Sequence, residues 1–295
     1  MSDVKDFIPQ RPCSKDIAWC PGCGNFGILN ILKKTFSKLG KKSNEIALIT
    51  GIGQAAKMIH YINVNGFHSL HGRSLPIATA VKIINPEMVV LAEGGDGDMY
   101  AEGFNHLVHA IRRNIDITVL VHNNQIYGLT KGQASPTTPF GQKTQTQPYG
   151  VNYSVLNAPA IAITLDCSFV ARTFMGYMDE SVEIITQAIE NKGLSFVEIF
   201  HPCVTFNKNS DYKWYKNNTS FLENHDPYDK EKAYVESLKD KPFSLGVIYK
   251  KERDDYNSYV RPYKQEKMPL YRRKLDTLKI NNIIETFKYS DNINK

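Results

Sequence analysis

The fold is decided by residues 88–124, which read MVVLAEGGDGDMYAEGFNHLVHAIRRNIDITVLVHNN. The apolar runs Met88–Ala92 and Ile115–Val121 predict two buried strands, and Tyr100–Arg113 between them predicts a helix. The glycine-rich segment Gly94–Gly97 is the loop that follows the first strand. A strand, a helix and a second strand in this order are typical of neighbouring parallel strands.

The same order of segments continues on both sides of this stretch. The predicted helices are Asn25–Leu39 and Asp179–Asn191, the second capped by Asp179, and the predicted strands are Glu45–Thr50, Phe169–Arg172 and Leu194–Phe200. We therefore predict an α/β fold, a mostly parallel sheet with helices on both faces. In such sheets ligands bind in the loops after the strands.

The alternation of strands and helices fades after Asn207. Only the helix Lys230–Lys239 and the strand Ser244–Tyr249 are predicted there. We therefore divide the chain into a domain of residues 1–207 and an irregular, charged C-terminal extension of residues 208–295. Residues 251–295 hold 11 Lys and Arg against 7 Asp and Glu, which favours docking to a partner or solvation.

Composition excludes several classes of protein. The longest apolar runs fall far short of the roughly 18 residues that a membrane-spanning helix needs. The first residues carry no apolar signal segment, so we expect a cytoplasmic protein. Five cysteines do not suggest a disulfide framework. The net charge of +6 is mild, and nucleic acid is not an expected partner.

Two turns suit a magnesium ion. Gly95-Asp96-Gly97 follows one predicted strand, and Asn123-Asn124 ends the next. Magnesium prefers oxygen ligands, so Asp96, the Asn124 side chain and the Ile126 carbonyl could bind it beside a diphosphate. Read separately, the two segments are ordinary turns; their order and spacing favour the metal site.

A second group of candidate ligands is made of cysteines. Cys20-Pro-Gly-Cys23 supplies two thiols, which on spacing alone fit a redox dithiol or half of a metal site. Cys203, after the strand that ends at Phe200, is a candidate third ligand. Cys167 lies beside an apolar strand and is predicted to be a small buried hydrophobic residue.

The pattern GDG followed by NN is similar to the thiamine diphosphate motif. Three further stretches, Trp19–Gly27 (WCPGCGNFG), Ser69–Ser74 (SLHGRS) and Gly128–Pro136 (GLTKGQASP), resemble the beta subunit of archaeal-type 2-oxoacid:ferredoxin oxidoreductases. The resemblance covers residues 16–207. It implies the diphosphate-binding half of a thiamine diphosphate fold.

This resemblance implies an enzyme that works only with other components. The implied reaction is oxidative decarboxylation of a 2-oxoacid with coenzyme A to acyl-CoA and CO₂. The electrons would pass through an iron–sulfur centre to ferredoxin. A larger alpha subunit would bring the pyrimidine-binding domain, for which this chain has no room.

The resemblance also implies roles for individual residues. Asp96, Asn124 and the Ile126 carbonyl would bind magnesium. The residues implied to line thiamine diphosphate are Ile52, Gly53, Gln54, Ala55, His71, Gly97, Asp98, Gly128 and Leu129. His71 is also a candidate catalytic residue, together with Lys57 and Lys131, which could contact a substrate carboxylate or the electron acceptor. Solvated lysines are the alternative interpretation.

The implied [4Fe–4S] cluster has one unusual position. Cys20, Cys23 and Cys203 match three of the four cluster ligands, whereas Gln54 stands where the family has the fourth cysteine. An amide oxygen is a poor ligand for cluster iron. The cluster could keep a labile iron, hold three irons, recruit Cys13 or be absent.

Two alternatives to the main prediction remain open at this stage. The first is a related thiamine diphosphate-dependent decarboxylating oxidoreductase with an altered or absent cluster and another acceptor. The second, from a different class, is a CxxC redox or zinc-binding module.

Overall fold

The computed structural model describes residues 2–9 and 17–288. Its strands are β1 (Ile46–Thr50), β2 (Asn65–His68), β3 (Val89–Gly95), β4 (Thr118–Asn123), β5 (Phe169–Phe174), β6 (Ser195–Phe200), β7 (Thr219–Phe221) and β8 (Phe243–Lys250). Its α-helices are α1 (Asn25–Lys38), α2 (Ser74–Ile84), α3 (Phe104–Arg113), α4 (Ala158–Thr164), α5 (Met178–Glu190), α6 (Tyr212–Asn217), α7 (Lys230–Leu238), α8 (Tyr256–Tyr259), α9 (Arg261–Gln265) and α10 (Thr277–Phe287).

Short helical turns connect some of these elements. The turns Val4–Phe7, Ser43–Glu45, Ala55–His60 and Leu270–Arg272 are 3₁₀-helical. Asp98–Glu102 forms a π-helical turn directly before α3. Such π-helical turns are rare and are often found at functional sites.

All eight strands lie in one sheet, in the order β2-β1-β3-β4-β6-β5-β8-β7. The neighbouring strands from β2 to β5 pair in parallel. β8 pairs antiparallel with β5, and β7 pairs parallel with β8. The predicted mostly parallel α/β sheet is confirmed.

The sheet is covered by helices on both faces because its central strands bury side chains on both sides. On β1, Ala47 and Ile49 pack toward α2, α3 and α4. Ile46 and Leu48 of the same strand pack with α1 and α5 on the other face. Successive residues of a strand point to opposite faces, so a continuous apolar run fills two cores.

Some predicted details are wrong. Asp179 does not cap α5: the helix begins at Met178 and its cap residue is Tyr177, whose side chain makes no capping hydrogen bond. Asp179 lies in the first turn of α5. An acidic side chain there interacts favourably with the helix dipole but does not cap the helix. Sequence analysis also missed β2, β7, α2, α4, α6, α8, α9 and α10.

The chain after residue 207 is more regular than the sequence predicted. The expected helix and strand are present as α7 and β8. The structure adds β7 and the helices α6, α8, α9 and α10. β7 and β8 belong to the same sheet as the preceding strands. The sheet therefore continues across residue 207. The domain boundary at that residue stays a prediction. No residue of α10 is buried.

No helix among the described residues is both long and apolar enough to cross a membrane.

Candidate functional site

The carboxyl ends of β1, β3, β4 and β6 lie side by side in the sheet. Their loops form one cleft, lined by Ile52, Gly53, Gln54, Ala55, His71, Gly95, Asp96, Gly97, Asp98, His122, Asn124, Ile126, Tyr127, Gly128, Leu129, Thr130 and His201. All nine residues predicted to line the cofactor and all three predicted magnesium ligands are in this group. The parallel sheet therefore brings them together as expected.

Asp96 is a buried carboxylate in this cleft. It follows the last residue of β3 and is 2% exposed. Its Oδ2 accepts hydrogen bonds from Ser135 Oγ at 2.6 Å and from Thr137 Oγ1 at 2.5 Å. Burial raises its pKa to about 6, although these hydroxyl groups and the Gly97 backbone oppose the shift. A cation beside Asp96 would offset the cost of burying its charge.

Asn123 ends the neighbouring strand β4, Asn124 follows it, and the two side chains have different surroundings. Asn123 Oδ1 accepts from the Gln125 backbone at 3.1 Å, and its Nδ2 donates to Glu198 at 2.9 Å. Asn124 Oδ1 accepts from the Ile126 backbone at 3.1 Å. Asn124 thus faces the cleft with an oxygen that has room for a second, cationic partner, as an amide oxygen has two lone pairs.

Asp98 joins three loops of the site. Its Oδ1 accepts from the Ile52 backbone at 3.1 Å, the Gly72 backbone at 3.0 Å and His71 Nδ1 at 2.7 Å. Burial raises the pKa of Asp98, and these hydrogen bonds oppose that rise. Since Nδ1 of His71 donates to Asp98, its Nε2 is the nitrogen left for a ligand in the cleft.

Two glycines allow the close approaches that shape this cleft. A Cβ on Gly51 would lie 1.9 Å from Asp98 Oδ2. A Cβ on Gly97 would lie 2.3 Å from the Tyr127 ring, whose hydroxyl donates to the Gly97 carbonyl at 3.1 Å. Any larger residue would push the loops apart.

The three predicted cluster cysteines lie near one another. Burial raises the pKa of the Cys23 thiol to about 11, and the nearby Cys203 and Cys20 add to that rise. Thr205, two residues after Cys203, donates from Oγ1 to Cys20 Sγ at 3.1 Å. All three thiols are free.

Residues 2–9 and 17–288 contain no preformed metal site, and this holds for the Cys20, Cys23 and Cys203 group as well. In those ranges no three His, Cys, Asp or Glu side chains converge closely enough to hold a single metal ion. Cys167 is fully buried, which confirms its predicted hydrophobic role. Cys13 lies outside the described residues.

Gln54 lies between the cysteine segment and the cleft. Its backbone carbonyl accepts a hydrogen bond from Nε1 of Trp19 at 2.8 Å, and Trp19 precedes Cys20 in the chain. Its side-chain Oε1 is buried and has no hydrogen-bond partner within the described part of the chain. A buried, unsatisfied amide oxygen is costly, so this position suits a group that the chain itself does not provide.

Two buried histidines of the cleft were missed by sequence analysis. His122 lies between Asn25 Oδ1, at 2.8 Å from its Nδ1, and Glu93 Oε1, at 2.9 Å from its Nε2. The second contact is close enough for an ion pair but is not aligned as a hydrogen bond. The His201 ring is 5.8 Å from that of His122, and both its nitrogens lack partners in the described structure. Burial lowers the pKa of His201 to about 3.

The two predicted catalytic lysines lie outside the cleft lining. Lys57 is half-buried in the turn Ala55–His60. The pKa of His68 is lowered mainly by burial, and the charge of Lys57 adds to that effect. Lys131 is exposed and has a positive φ of 78°. Both roles stay predictions for an assembled enzyme, as does that of His71, which does line the cleft.

Comparisons with known families agree with this geometry. Residues 50–199 match the family described as thiamine pyrophosphate enzyme, C-terminal TPP binding domain. Residues 203–278 match the C-terminal family of the pyruvate ferredoxin oxidoreductase beta subunit. The second match begins close to the predicted boundary, at the segment that supplies Cys203.

Relatives and a solved structure point in the same direction. A 2-oxoacid:ferredoxin oxidoreductase beta subunit of Aeropyrum pernix is 43% identical over 211 residues, which are 72% of this chain and 66% of that relative. The corresponding subunit of Saccharolobus solfataricus is 38% identical over 280 residues and 90% of each chain.

The solved structure is a 2-oxoglutarate:ferredoxin oxidoreductase of Magnetococcus marinus with 2-oxoglutarate, coenzyme A and succinyl-CoA bound. It matches with a TM-score of 0.87, 32% identity, 98% coverage of this chain and 97% of its own. The chain therefore belongs to the family of 2-oxoacid:ferredoxin oxidoreductase beta subunits.

Proposed function

We propose that the cleft binds thiamine diphosphate through a magnesium ion held by Asp96, the Asn124 side chain and the Ile126 carbonyl. The observation that carries this proposal is the burial of Asp96, a carboxylate that pairs with no cationic side chain in the described part of the chain. Magnesium bound there would balance that charge and bridge to the diphosphate.

The proposed reaction is oxidative decarboxylation of a 2-oxoacid with coenzyme A to acyl-CoA and CO₂. Thiamine diphosphate supplies the electron sink for decarboxylation when it is bound. The chain's own residues orient the site: Asp98 fixes three loops, and His71 presents Nε2 to the cleft. The Magnetococcus relative, which binds 2-oxoglutarate and coenzyme A, supports this choice of substrates.

The proposed partner is an alpha subunit that carries the pyrimidine-binding domain. The cleft of this chain contains candidate ligands for the magnesium diphosphate end of the cofactor, and the other end would rest on the partner. We assign residues 208–295 to docking with that subunit, because α10 leaves Leu278, Ile283 and Phe287 exposed.

The proposed electron path runs through an iron–sulfur centre held by Cys20, Cys23 and Cys203 to ferredoxin. Three neighbouring free thiols support it, and reduced thiols fit the cytoplasm. Gln54 favours a second candidate, a related thiamine diphosphate-dependent decarboxylating oxidoreductase whose cluster is altered or absent and which uses another electron acceptor. The orphaned Oε1 of Gln54 is the specific observation that favours that candidate.

The cofactor proposal is tested on the complex with its alpha subunit. Thiamine diphosphate is titrated calorimetrically with and without MgCl₂, using wild type, Asp96→Ala and Asp179→Ala. We expect magnesium-dependent binding that Asp96→Ala abolishes. Asp179→Ala is a matched control because that side chain is 92% exposed on α5, and it should bind normally. Equal binding by Asp96→Ala would refute the assignment.

The cluster proposal is tested by iron and sulfide analysis of the complex purified without oxygen. A ratio of about four irons per beta chain supports an intact cluster, and about three supports the altered one. A protein without iron and sulfide would contradict both cluster forms while leaving the thiamine diphosphate site untouched.

A further inference from the structure

Glu198 is a buried carboxylate that the proposed reaction does not use. It lies on β6 and is 3% exposed. Its Oε1 accepts from Tyr100 Oη at 2.9 Å and from Asn123 Nδ2 at 2.9 Å, and its Oε2 accepts from Arg172 Nε at 2.8 Å. Three elements and the end of a fourth, β4, therefore meet at one side chain.

The contacts continue from Glu198 to the proposed metal ligands. Asn123 Oδ1 lies 2.9 Å from Thr137 Oγ1, which in turn lies 2.5 Å from Asp96 Oδ2. Thr137 has one hydroxyl hydrogen, so Asp96 and Asn123 compete for the same donor. The position of Asp96 is thus coupled to that of Asn123.

Asn123 also shapes the turn that carries the other ligand. Its Oδ1 accepts from the Gln125 backbone at 3.1 Å, and Gln125 has a positive φ of 62°. Asn124 lies between these two residues, so rotation of the Asn123 side chain would displace the Asn124 oxygen.

Burying the ion pair of Glu198 and Arg172 removes two charges from water, which carries a large desolvation cost. Replacement of a buried pair by apolar residues is often neutral or stabilising, so stability alone is a weak reason for it. The Arg172 guanidinium also stacks on Phe200, 5.4 Å from the ring centre, which fixes its direction. A fixed guanidinium holds the carboxylate so that one oxygen points at Asn123.

We propose that Glu198, oriented by Arg172 and Tyr100, is a positioning residue for magnesium binding and acts through Asn123 and Thr137 on Asp96 and Asn124. This inference rests on the proposed function, since it assumes that the cleft binds magnesium and thiamine diphosphate. In this inference Glu198 and Arg172 do not contact the cofactor. Groups that orient metal ligands typically change metal affinity by 10–100-fold when they are replaced.

The test is the magnesium requirement of Glu198→Gln in the complex with the alpha subunit. MgCl₂ is titrated at fixed thiamine diphosphate, and binding is followed calorimetrically. We expect the half-saturating magnesium concentration to rise about tenfold or more, and excess magnesium to restore full binding. A merely structural defect would lower the melting temperature without such rescue.

Asp116→Asn is the matched control. Asp116 pairs with Lys82 at 2.8 Å and precedes the start of β4, at the opposite end from Asn123. Its loss should lower the melting temperature and leave the magnesium requirement unchanged. A magnesium requirement that shifts equally in Asp116→Asn and Glu198→Gln would overturn the inference.

A milder variant covers the case in which Glu198→Gln does not fold. Tyr100→Phe removes one of the three hydrogen bonds to Glu198 and should raise the requirement about threefold. An unchanged requirement in a folded variant overturns the inference alone. If wild type shows no magnesium-dependent binding, the proposed function fails as well.

Discussion

Asp96 is a residue on which stability and function make opposite demands. Its burial raises its pKa to about 6, so at pH 7 the metal-free chain holds an ionised carboxylate in an unfavourable place. Because the pKa of Asp96 is raised in the folded state, its contribution to the free energy of unfolding falls as pH rises from near 4 through 6.

Asp96→Asn should therefore stabilise the metal-free chain at pH 7, by about 1–3 kcal/mol. The neutral amide keeps an acceptor for Ser135 and Thr137 but removes the buried charge. Urea unfolding at pH 7 and pH 4 checks this, with the gain shrinking at the lower pH. A loss of stability at pH 7 would show that the charge is already balanced. Magnesium with thiamine diphosphate should stabilise wild type only.

Gln54 stands where the resemblance implies a fourth cluster cysteine, so replacing it by cysteine tests the proposed cluster site. Gln54→Cys should raise the iron content of the complex toward four per beta chain and slow loss of iron to a chelator. Gln54→Ser is the control, because a hydroxyl is no better ligand than the amide. Identical iron content and chelation rates in all three proteins would disprove a link between Gln54 and the cluster.

Sequence patterns indicated which loops follow the strands of the parallel sheet, and the family resemblance supplied the individual cofactor-lining residues within those loops. Asp96 and Asn124 come together because β3 and β4 are neighbours. Ser135 and Thr137 could not be assigned to Asp96, since they lie on an irregular loop with no periodic pattern. His201 was missed because nothing in the sequence shows that its side chain is buried and lines the cleft.

At the scale of elements, Asp166 joins α7 and β8 to the rest of the molecule. Lys230 Nζ donates to its Oδ1 at 2.6 Å, Tyr249 Oη donates to the same oxygen at 3.1 Å, and Lys251 pairs with Oδ2 at 2.9 Å. Partial burial would raise the pKa of Asp166, but these hydrogen bonds outweigh it and lower the pKa to about 2.

Asp166→Asn should destabilise the chain by no more than about 1–2 kcal/mol at pH 6, since both lysines are largely exposed. The positive φ of 57° at this position suits asparagine as well as aspartate, so the backbone is not strained. Because the folded pKa is lowered, the effect is present above about pH 4 and fades toward pH 2. Unfolding free energies at pH 6 and pH 3 measure it.

The control for that experiment is Asp179→Asn, which removes a largely exposed pair with Lys34 and should cost less than about 0.5 kcal/mol. A difference between wild type and Asp166→Asn that grows as the pH falls would contradict the assignment.

The apolar runs of the central strands predicted their elements correctly, whereas β2, β7 and α6 carry no periodic apolar pattern that would reveal them. Asn65-Gly-Phe-His68 is an exposed edge strand without hydrophobic alternation, so β2 could not be recognised. β7 has three residues and α6 has six, too few for a periodic signal. Their places are set by tertiary packing, as in the buried cluster of Phe174, Phe200 and Tyr215.

At the scale of the whole molecule, the C-terminal tail is the best place to separate folding from assembly. All residues of α10 are unburied, and Leu278 and Phe287 are 76% and 82% exposed. Deletion of residues 276–295 should leave the melting temperature of the isolated chain within about 1 °C, since little packing is lost. It should weaken association with the alpha subunit by tenfold or more, as measured by sedimentation.

Point variants give that deletion a control. Lys279→Ala changes the polar side of α10 and should bind nearly normally, whereas Leu278→Asp with Phe287→Asp should reproduce the deletion. If the shortened chain assembles as tightly as the full chain, the tail has another role.

The antiparallel pairing of β8 with β5 also determines when the sheet can be finished during synthesis. β5 ends at Phe174 and pairs early with β6, but its other edge must wait for β8, which begins at Phe243. At ordinary translation rates that interval lasts about 4–14 s. An open, apolar strand edge is a template for pairing with another chain. Nascent copies on one messenger RNA are therefore most vulnerable to aggregation in this interval, and fast translation of residues 175–250 would shorten it.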